Sequence, residues 1–271
     1  MDYNKFAKKD SFQQWFEYEP HDVQYLKYAK EDPSIIAAGY KISDVYSAFA
    51  DAHATFLFAG SDDFGQIAGR DDISMLYAKS HFLRYALLEY AICLDLSWQV
   101  IWAYVQPASL EYLMNQKYKE MEKECTRESL RAQLECSISL HGVGLTKAKE
   151  LKTLFENFDS DADVKELRRV YNIVKHQGTI HIEGLGLNEE HMMIVIGNNA
   201  PPMLHRESFS VEKLERLLLT YNDKFIEYMN SILSVIMPED YLDNKINLDD
   251  AFNAVNGIQG WNMGKDRLKD K

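Results

Sequence analysis

Arg168-Arg169-Val170-Tyr171-Asn172-Ile173-Val174-Lys175-His176-Gln177-Gly178 is the stretch around which the 271-residue chain is organised. Val170, Ile173 and Val174 recur at helical spacing and predict an apolar helix face. Gly178 is a natural stop, and Lys175 and His176 suit the negative end of a helix dipole. Arg169 and His176 stand seven residues apart. At 100° per residue they lie roughly 20° apart around the axis and about 10 Å apart along it. Asn172 falls between them. One face therefore carries a guanidinium, an amide and an imidazole at the end of a predicted helix over about 162–177.

Upstream, residues of about 72–106 form the most apolar segment, nearly continuous from Phe82 to Val105. Its length would suit a membrane span. Arg84, Glu89 and Asp95 would be costly in lipid, so the segment reads as the central helix of a bundle. Its polar groups need partners once buried. Asp95 is a candidate to orient Arg169 or His176, although bonds to neighbouring helices serve equally well. A core helix over Ile35–Phe58 follows the helix start at Asp32-Pro33-Ser34. Residues 1–30 hold Phe6, Phe12, Trp15, Phe16 and four further large apolar residues, with a break at Pro20. They predict a covering arm of two short helices, whose aromatics anchor it to the core or stack bases.

Beyond Pro107, Leu110–Ser137 reads as one charged outer helix of mixed sign. Thr146 opens a further helix to about Phe158, and Asp159–Asp163 forms a turn before the organising helix. After Gly178, Thr179-Ile180-His181-Ile182 alternates, and Met192–Ile196 supplies a second apolar run. They predict a β-hairpin over 179–197, with Gly184 and Gly186 in its turns. Ser210 caps a long amphipathic helix over Val211–Met237. Residues 238–271 read as a polar tail that packs loosely. The fold class is all-α: a helical bundle in a single domain, 1–237, with the hairpin inserted before its last long helix.

Composition narrows the function. An apolar fraction of 46% suits a globular protein, and a formal net charge of −12 disfavours a general nucleic-acid coat. Cys93, Cys125 and Cys136 are few, odd in number and without CxxC spacing. They predict reduced thiols in a cytoplasmic protein. Met1–Lys5 carries no signal-peptide pattern. His-Glu-x-x-His and Glu-x-x-His are absent, so no metal or other cofactor is expected. His176, His181 and Glu183 are the nearest thing to a ligand set, and one short stretch rarely builds such a site.

The run Arg169-x6-His176 resembles the Arg-x4–6-His motif of the HEPN superfamily. Asn172-Ile-Val-Lys175-His176-Gln-Gly178 is similar to the Asn-x-x-Lys-His-x-Gly run that ends a core helix in bacterial HEPN-like proteins. The resemblance implies a HEPN-like bundle, a homodimer with motif helices facing across a groove, and metal-independent cleavage of RNA. Arg169, Asn172 and His176 would be the catalytic set, with Arg168 and Lys175 adding positive charge. A toxin or phage-defence effector with an antitoxin partner is the setting it implies.

In many catalytic members the polar residue directly follows the Arg, whereas here Val170 does. That leaves a silent binding or assembly module as an alternative. There His176 caps the helix, Arg169 pairs with Glu166 or a neighbour, and Asn172 satisfies backbone groups. A third reading is a ligand-binding helical protein with a pocket at Trp98, Trp102 and Tyr104.

Overall fold

The computed structural model describes residues 6, 11–65, 68–106, 117–139, 144–178, 180–186, 207–243 and 245–246. Among them stand a 3-10 turn (Gln13–Tyr18) and eight α-helices. The helices are α1 (Asp22–Tyr28), α2 (Pro33–Ala59), α3 (Asp72–Val105), α4 (Lys117–Glu124), α5 (Arg127–Ser139), α6 (Gly144–Ser160), α7 (Ala162–His176) and α8 (Val211–Ile236). Two very short strands, β1 (His181–Ile182) and β2 (Ser208–Phe209), precede α8. The fold is all-α with a small sheet inserted before the last long helix. By internal packing the chain divides into two units that interleave in sequence.

The first unit takes Ala48–Ile92 and Asp159–Phe225, together with Phe6. Its centre is a buried aromatic cluster. Phe49 stacks on Phe225 at 5.4 Å and meets Tyr90 edge-on at 5.6 Å. Such pairs add about 0.5–1.5 kcal/mol beyond the area they bury. The phenol oxygens inside the cluster need partners. Tyr90 Oη donates to Asn222 Oδ1 at 2.9 Å, and Tyr221 Oη donates to the Tyr90 carbonyl at 3.3 Å. Phe6 stacks on His53 at 4.3 Å, which makes this residue of the arm an anchor.

β1 lies where the sequence predicts a strand, and its partner is β2. The two run parallel, with His181 opposite Ser208 and Ile182 opposite Phe209. A parallel pair cannot be closed by a tight turn. The pairing therefore differs from the expected hairpin, whose second strand at Met192–Ile196 lies outside the described residues. Ile182 and Phe209 both point into the core.

The second unit takes Ser11–Ser47, Cys93–Phe158 and the residues from Ile226 onward. Trp15 is fully buried, and its indole N–H donates to Asn230 Oδ1 at 2.9 Å. The arm is thus held down here too. Tyr241 stacks between Tyr18 and Tyr28, each at 5.7 Å, and donates to the Tyr18 carbonyl at 2.9 Å. The start of the expected loose tail is therefore core. Gly39 explains part of this packing. A Cβ there would meet Tyr241 Oη at 2.5 Å and the Tyr18 carbonyl at 2.7 Å.

The outer helix predicted over Leu110–Ser137 is interrupted: α4 ends at Glu124 and α5 begins at Arg127. Thr126 N–H donates to Ser129 Oγ at 2.7 Å, and Ser129 N–H donates to Thr126 Oγ1 at 3.0 Å. This reciprocal cap starts a new helix. Its predicted beginning, from Leu110, lies outside the described residues. Trp98 and Trp102 are buried. Trp98 meets Phe155 at 6.4 Å, and Trp102 N–H donates to the Met121 carbonyl at 3.0 Å. Both tryptophans are packing residues. Cys93, Cys125 and Cys136 are free thiols. By length and composition α3 could cross a membrane, yet 67% of its most apolar window is buried inside the protein.

Candidate functional site at the end of helix α7

α7 begins with a strong signal. Asp161 caps it, accepting from the N–H of Asp163 at 2.9 Å and of Val164 at 3.3 Å. Lys224 reaches across from α8 to Asp161 and Asp163, at 2.6 Å each. Val164, Leu167 and Val170 then bury one stripe at i, i+3 and i+6. The stripe fades toward the C-terminus: Ile173 and Val174 are only half-buried. The helix ends at His176, within one residue of the predicted end. Gly178 carries φ +138, a conformation that a side chain would oppose.

Arg168 and Arg169 are neighbours with different surroundings. Arg168 Nη1 donates to Asp159 Oδ1 at 2.7 Å, and the Asp159 side chain is 4% exposed. A buried carboxylate needs such a partner. Arg168 is therefore a structural residue, not an addition to a basic surface. Arg169 is 42% exposed and clamped by two carboxylates. Its Nε and Nη2 donate to Glu166 at 2.7 and 2.8 Å. Its Nη1 and Nη2 donate to Glu207 at 2.5 and 2.7 Å. The pairing with Glu166 is the one that the sequence suggests. Glu207, just before β2, is a partner that it does not.

The hydrogen bonds from Arg169 hold both carboxyls below the usual glutamate range and raise the guanidinium further. Lys213 stands 3.9 Å from Glu166 and 5.1 Å from the Phe209 ring centre. Glu166, Glu207, Arg169 and Lys213 thus sum to zero charge. Four of the five guanidinium N–H groups are engaged. A phosphate would have to take the place of a carboxylate to reach them.

Asn172, Lys175 and His176 are exposed. Lys175 lies over the Tyr171 ring at 5.5 Å. Among the described residues, the side chains of Asn172 and His176 make no hydrogen bond. Neither therefore satisfies backbone or caps the helix end through its side chain. One helix face does bring the expected trio together, with the imidazole and amide open and the guanidinium occupied.

Asp95, a candidate to orient Arg169 or His176, belongs to the second unit, whereas Arg169 has its carboxylate partners Glu166 and Glu207 within the first. Asp95 acts on Cys125 in the second unit. Burial first, and then the Asp95 charge, push that thiol up to about 12. Such a thiol stays protonated and unreactive at neutral pH.

Among the described residues no group of three or more His, Cys, Asp or Glu side chains could hold a metal ion. No protein-family model, curated protein or solved structure matches the chain.

Proposed function

We propose that the chain is a HEPN-like protein that cleaves RNA without a metal, at the C-terminal end of α7, in a site completed by a second copy. The observation that carries this reading is the pair Asn172 and His176. Both are exposed on one helix face, and neither is spent on the chain's own structure. Half-buried Tyr171, Ile173 and Val174 beside them supply apolar area for a two-fold contact.

The chemistry follows from what one imidazole can and cannot do. The ribose 2′ oxygen attacks the adjacent phosphorus, and its proton passes to a neutral His176. The bond from phosphorus to the 5′ oxygen breaks. A protonated His176 from the second copy gives that oxygen its proton. The products are a 2′,3′-cyclic phosphate and a 5′-hydroxyl end. His is suited to both roles near neutral pH. Arg169, released from Glu207, would stabilise the crowded phosphorane by its planar fork, with Asn172 orienting the phosphate. A cytoplasmic toxin or phage-defence effector, restrained by an antitoxin protein, fits this chemistry.

A second reading has its own observation. The doubly clamped Arg169 favours a silent assembly module, in which the guanidinium only ties β2 to α7.

The deciding experiment incubates purified protein with tRNA, mRNA and unstructured RNA, with and without EDTA. Cleavage that survives EDTA and is lost in His176→Ala supports the nuclease. An uncut panel, or equal cutting by His176→Ala, leaves the silent module.

A further inference from the structure

Ile73, Tyr77, Tyr85 and Ile92 are large apolar residues of α3 that stay exposed, at 68%, 63%, 45% and 42%. All four belong to the first unit. Single residues of this kind are ordinary on a surface. These four form a row. With half-buried His81 and Leu88 they follow one face of the helix at i, i+3 or i+4 spacing. From His81 the steps are four, three and four residues, which is the alternation of a coiled-coil seam.

The size of the row says how much contact it can offer. At about 200 Å² for a whole side chain of this size, the four leave roughly 400 Å² in water. A contiguous patch of that size is often an interaction site. A stable dimer buries about 800 Å² on each partner. The row supplies about half of that, and the seam residues and flanks beside it lie in reach of the rest.

The charges beside the row select the occupant. At 100° per residue, Arg84 lies about 70° to one side of the seam and Glu89 about 70° to the other. Burial first, and then the charge of Asp51 on α2, raise the Glu89 carboxyl. One flank therefore carries two carboxylates and the other a guanidinium. Two copies of this seam laid in parallel bring opposite flanks together, Arg84 of one copy against Glu89 of the other, twice by symmetry. An antiparallel pair would bring like flanks together, arginine facing arginine. Arg84 Nη2 already lies 3.1 Å from His81 Nδ1. A guanidinium has five donors, so Arg84 need not leave that contact to meet a carboxylate.

We propose that α3 is the docking face for a second copy of this chain, with the row from Tyr77 to Ile92 packed in parallel on the same row along a two-fold axis. The segment that follows α7 borders this row, where Ile180, Ile182 and Leu185 face Tyr77, His81 and Arg84 across a cleft. His176 is four residues before Ile180, so its Cα lies within about 14 Å of that border. Parallel pairing also keeps the α7 ends of both copies at one level along the axis. The docking face does not rest on the RNA reading, but it brings the second copy that such a site needs.

The test is sedimentation equilibrium of the full chain, the Tyr85→Glu and Ile92→Glu variants, and an Ile92→Cys, Cys136→Ser variant under mild oxidation. The wild type should be a dimer at micromolar concentration. Each Glu variant should raise the dimer dissociation constant about 100-fold, since both copies then bury an unpaired carboxylate. Their far-UV circular dichroism should match the wild type, because both side chains are exposed in the single chain. The cysteine variant should form a covalent dimer, because a seam position meets its own copy across a parallel two-fold axis. It keeps the proposal testable where a Glu variant does not fold. Three results would overturn it. One is a wild type that stays monomeric at high micromolar concentration. Another is a folded Ile92→Glu variant that dimerises as tightly as the wild type, which would put the contact elsewhere. The third is an Ile92→Cys variant that dimerises and does not cross-link. RNA cleavage does not enter this test, so a dimer paired on α3 that cuts no RNA supports the docking face and counts only against the nuclease.

Discussion

The two halves of α7 are built for different ends. The first half, from the Asp161 cap to Val170, is committed to the fold. Its cap is satisfied, its stripe is buried, and Arg168 neutralises a buried Asp159. The second half, from Tyr171 to His176, gives the fold little. Its apolar residues are half-buried and its polar ones face outward. Arg169 sits at the junction, exposed like the second half and tied like the first. One helix can thus hold a rigid base under a group that must meet a ligand, because burial of one end fixes the axis of the other.

This contrast gives its largest expected effect in rate. His176→Ala should lower RNA cleavage about 10²–10⁴-fold, the usual loss for an acid–base group. The same change should leave the thermal midpoint where it was, since the side chain holds nothing in place. A marked drop in the midpoint would move His176 into the structural half and weaken the catalytic reading. Leu167→Ala should do the reverse. It removes buried volume and should cost roughly 2–5 kcal/mol in denaturant unfolding. A cost below about 1 kcal/mol would show that the first half is less committed than its burial implies.

Much of this division is legible in the sequence, and the remainder has a physical reason. The buried stripe of α7 shows in its periodicity, and its end shows in Gly178, because both signals are local. The Arg169–Glu166 pair shows because i,i+3 neighbours meet on any helix. Glu207 lies 38 residues from Arg169, and nothing local says that β2 returns to α7. The break at Thr126 was open to reading, since a Thr-x-x-Ser pair can cap a helix. The strong run of charged helix formers on both sides hid it.

The cap tests the structural half more gently. Asp161→Ala should cost about 1 kcal/mol, and Asp161→Asn less, because Asn still caps. Burial pushes the Asp161 carboxyl up. Hydrogen bonds from Lys224 and from the Val164 and Asp163 N–H groups outweigh that and leave it below the ordinary range. A depressed carboxyl contributes stability above its unfolded value of about 4, and loses it as pH falls through its folded value. The stability gap between wild type and Asp161→Asn should therefore be full at pH 7 and close on acidification below about pH 4. A gap that widens in acid would mean that the Lys224 contact does not hold the carboxylate.

The smallest effect bears on the junction itself. Glu207→Gln leaves a side chain of the same shape before β2 but removes one of the two charges on Arg169. Exposed ion pairs are worth about 0.2–1 kcal/mol, which corresponds to roughly 1.5- to 5-fold in an equilibrium constant. If the guanidinium is reserved for phosphate, Glu207→Gln should tighten binding of a short RNA by that factor. In an active protein it should lower KM more than it changes kcat, because Glu207 competes with substrate and takes no part in proton transfer. Arg169→Ala should weaken binding, and Glu207→Gln on that background should have no further effect, since the residue it releases is gone. That loss of effect is the diagnostic, because two independent sites would give additive changes. If Glu207→Gln instead binds RNA no better, or the two changes add, the clamp is a tie between β2 and α7. The second half of the helix would then offer Asn172, Lys175 and His176 to a ligand without a guanidinium, which is what the silent module requires.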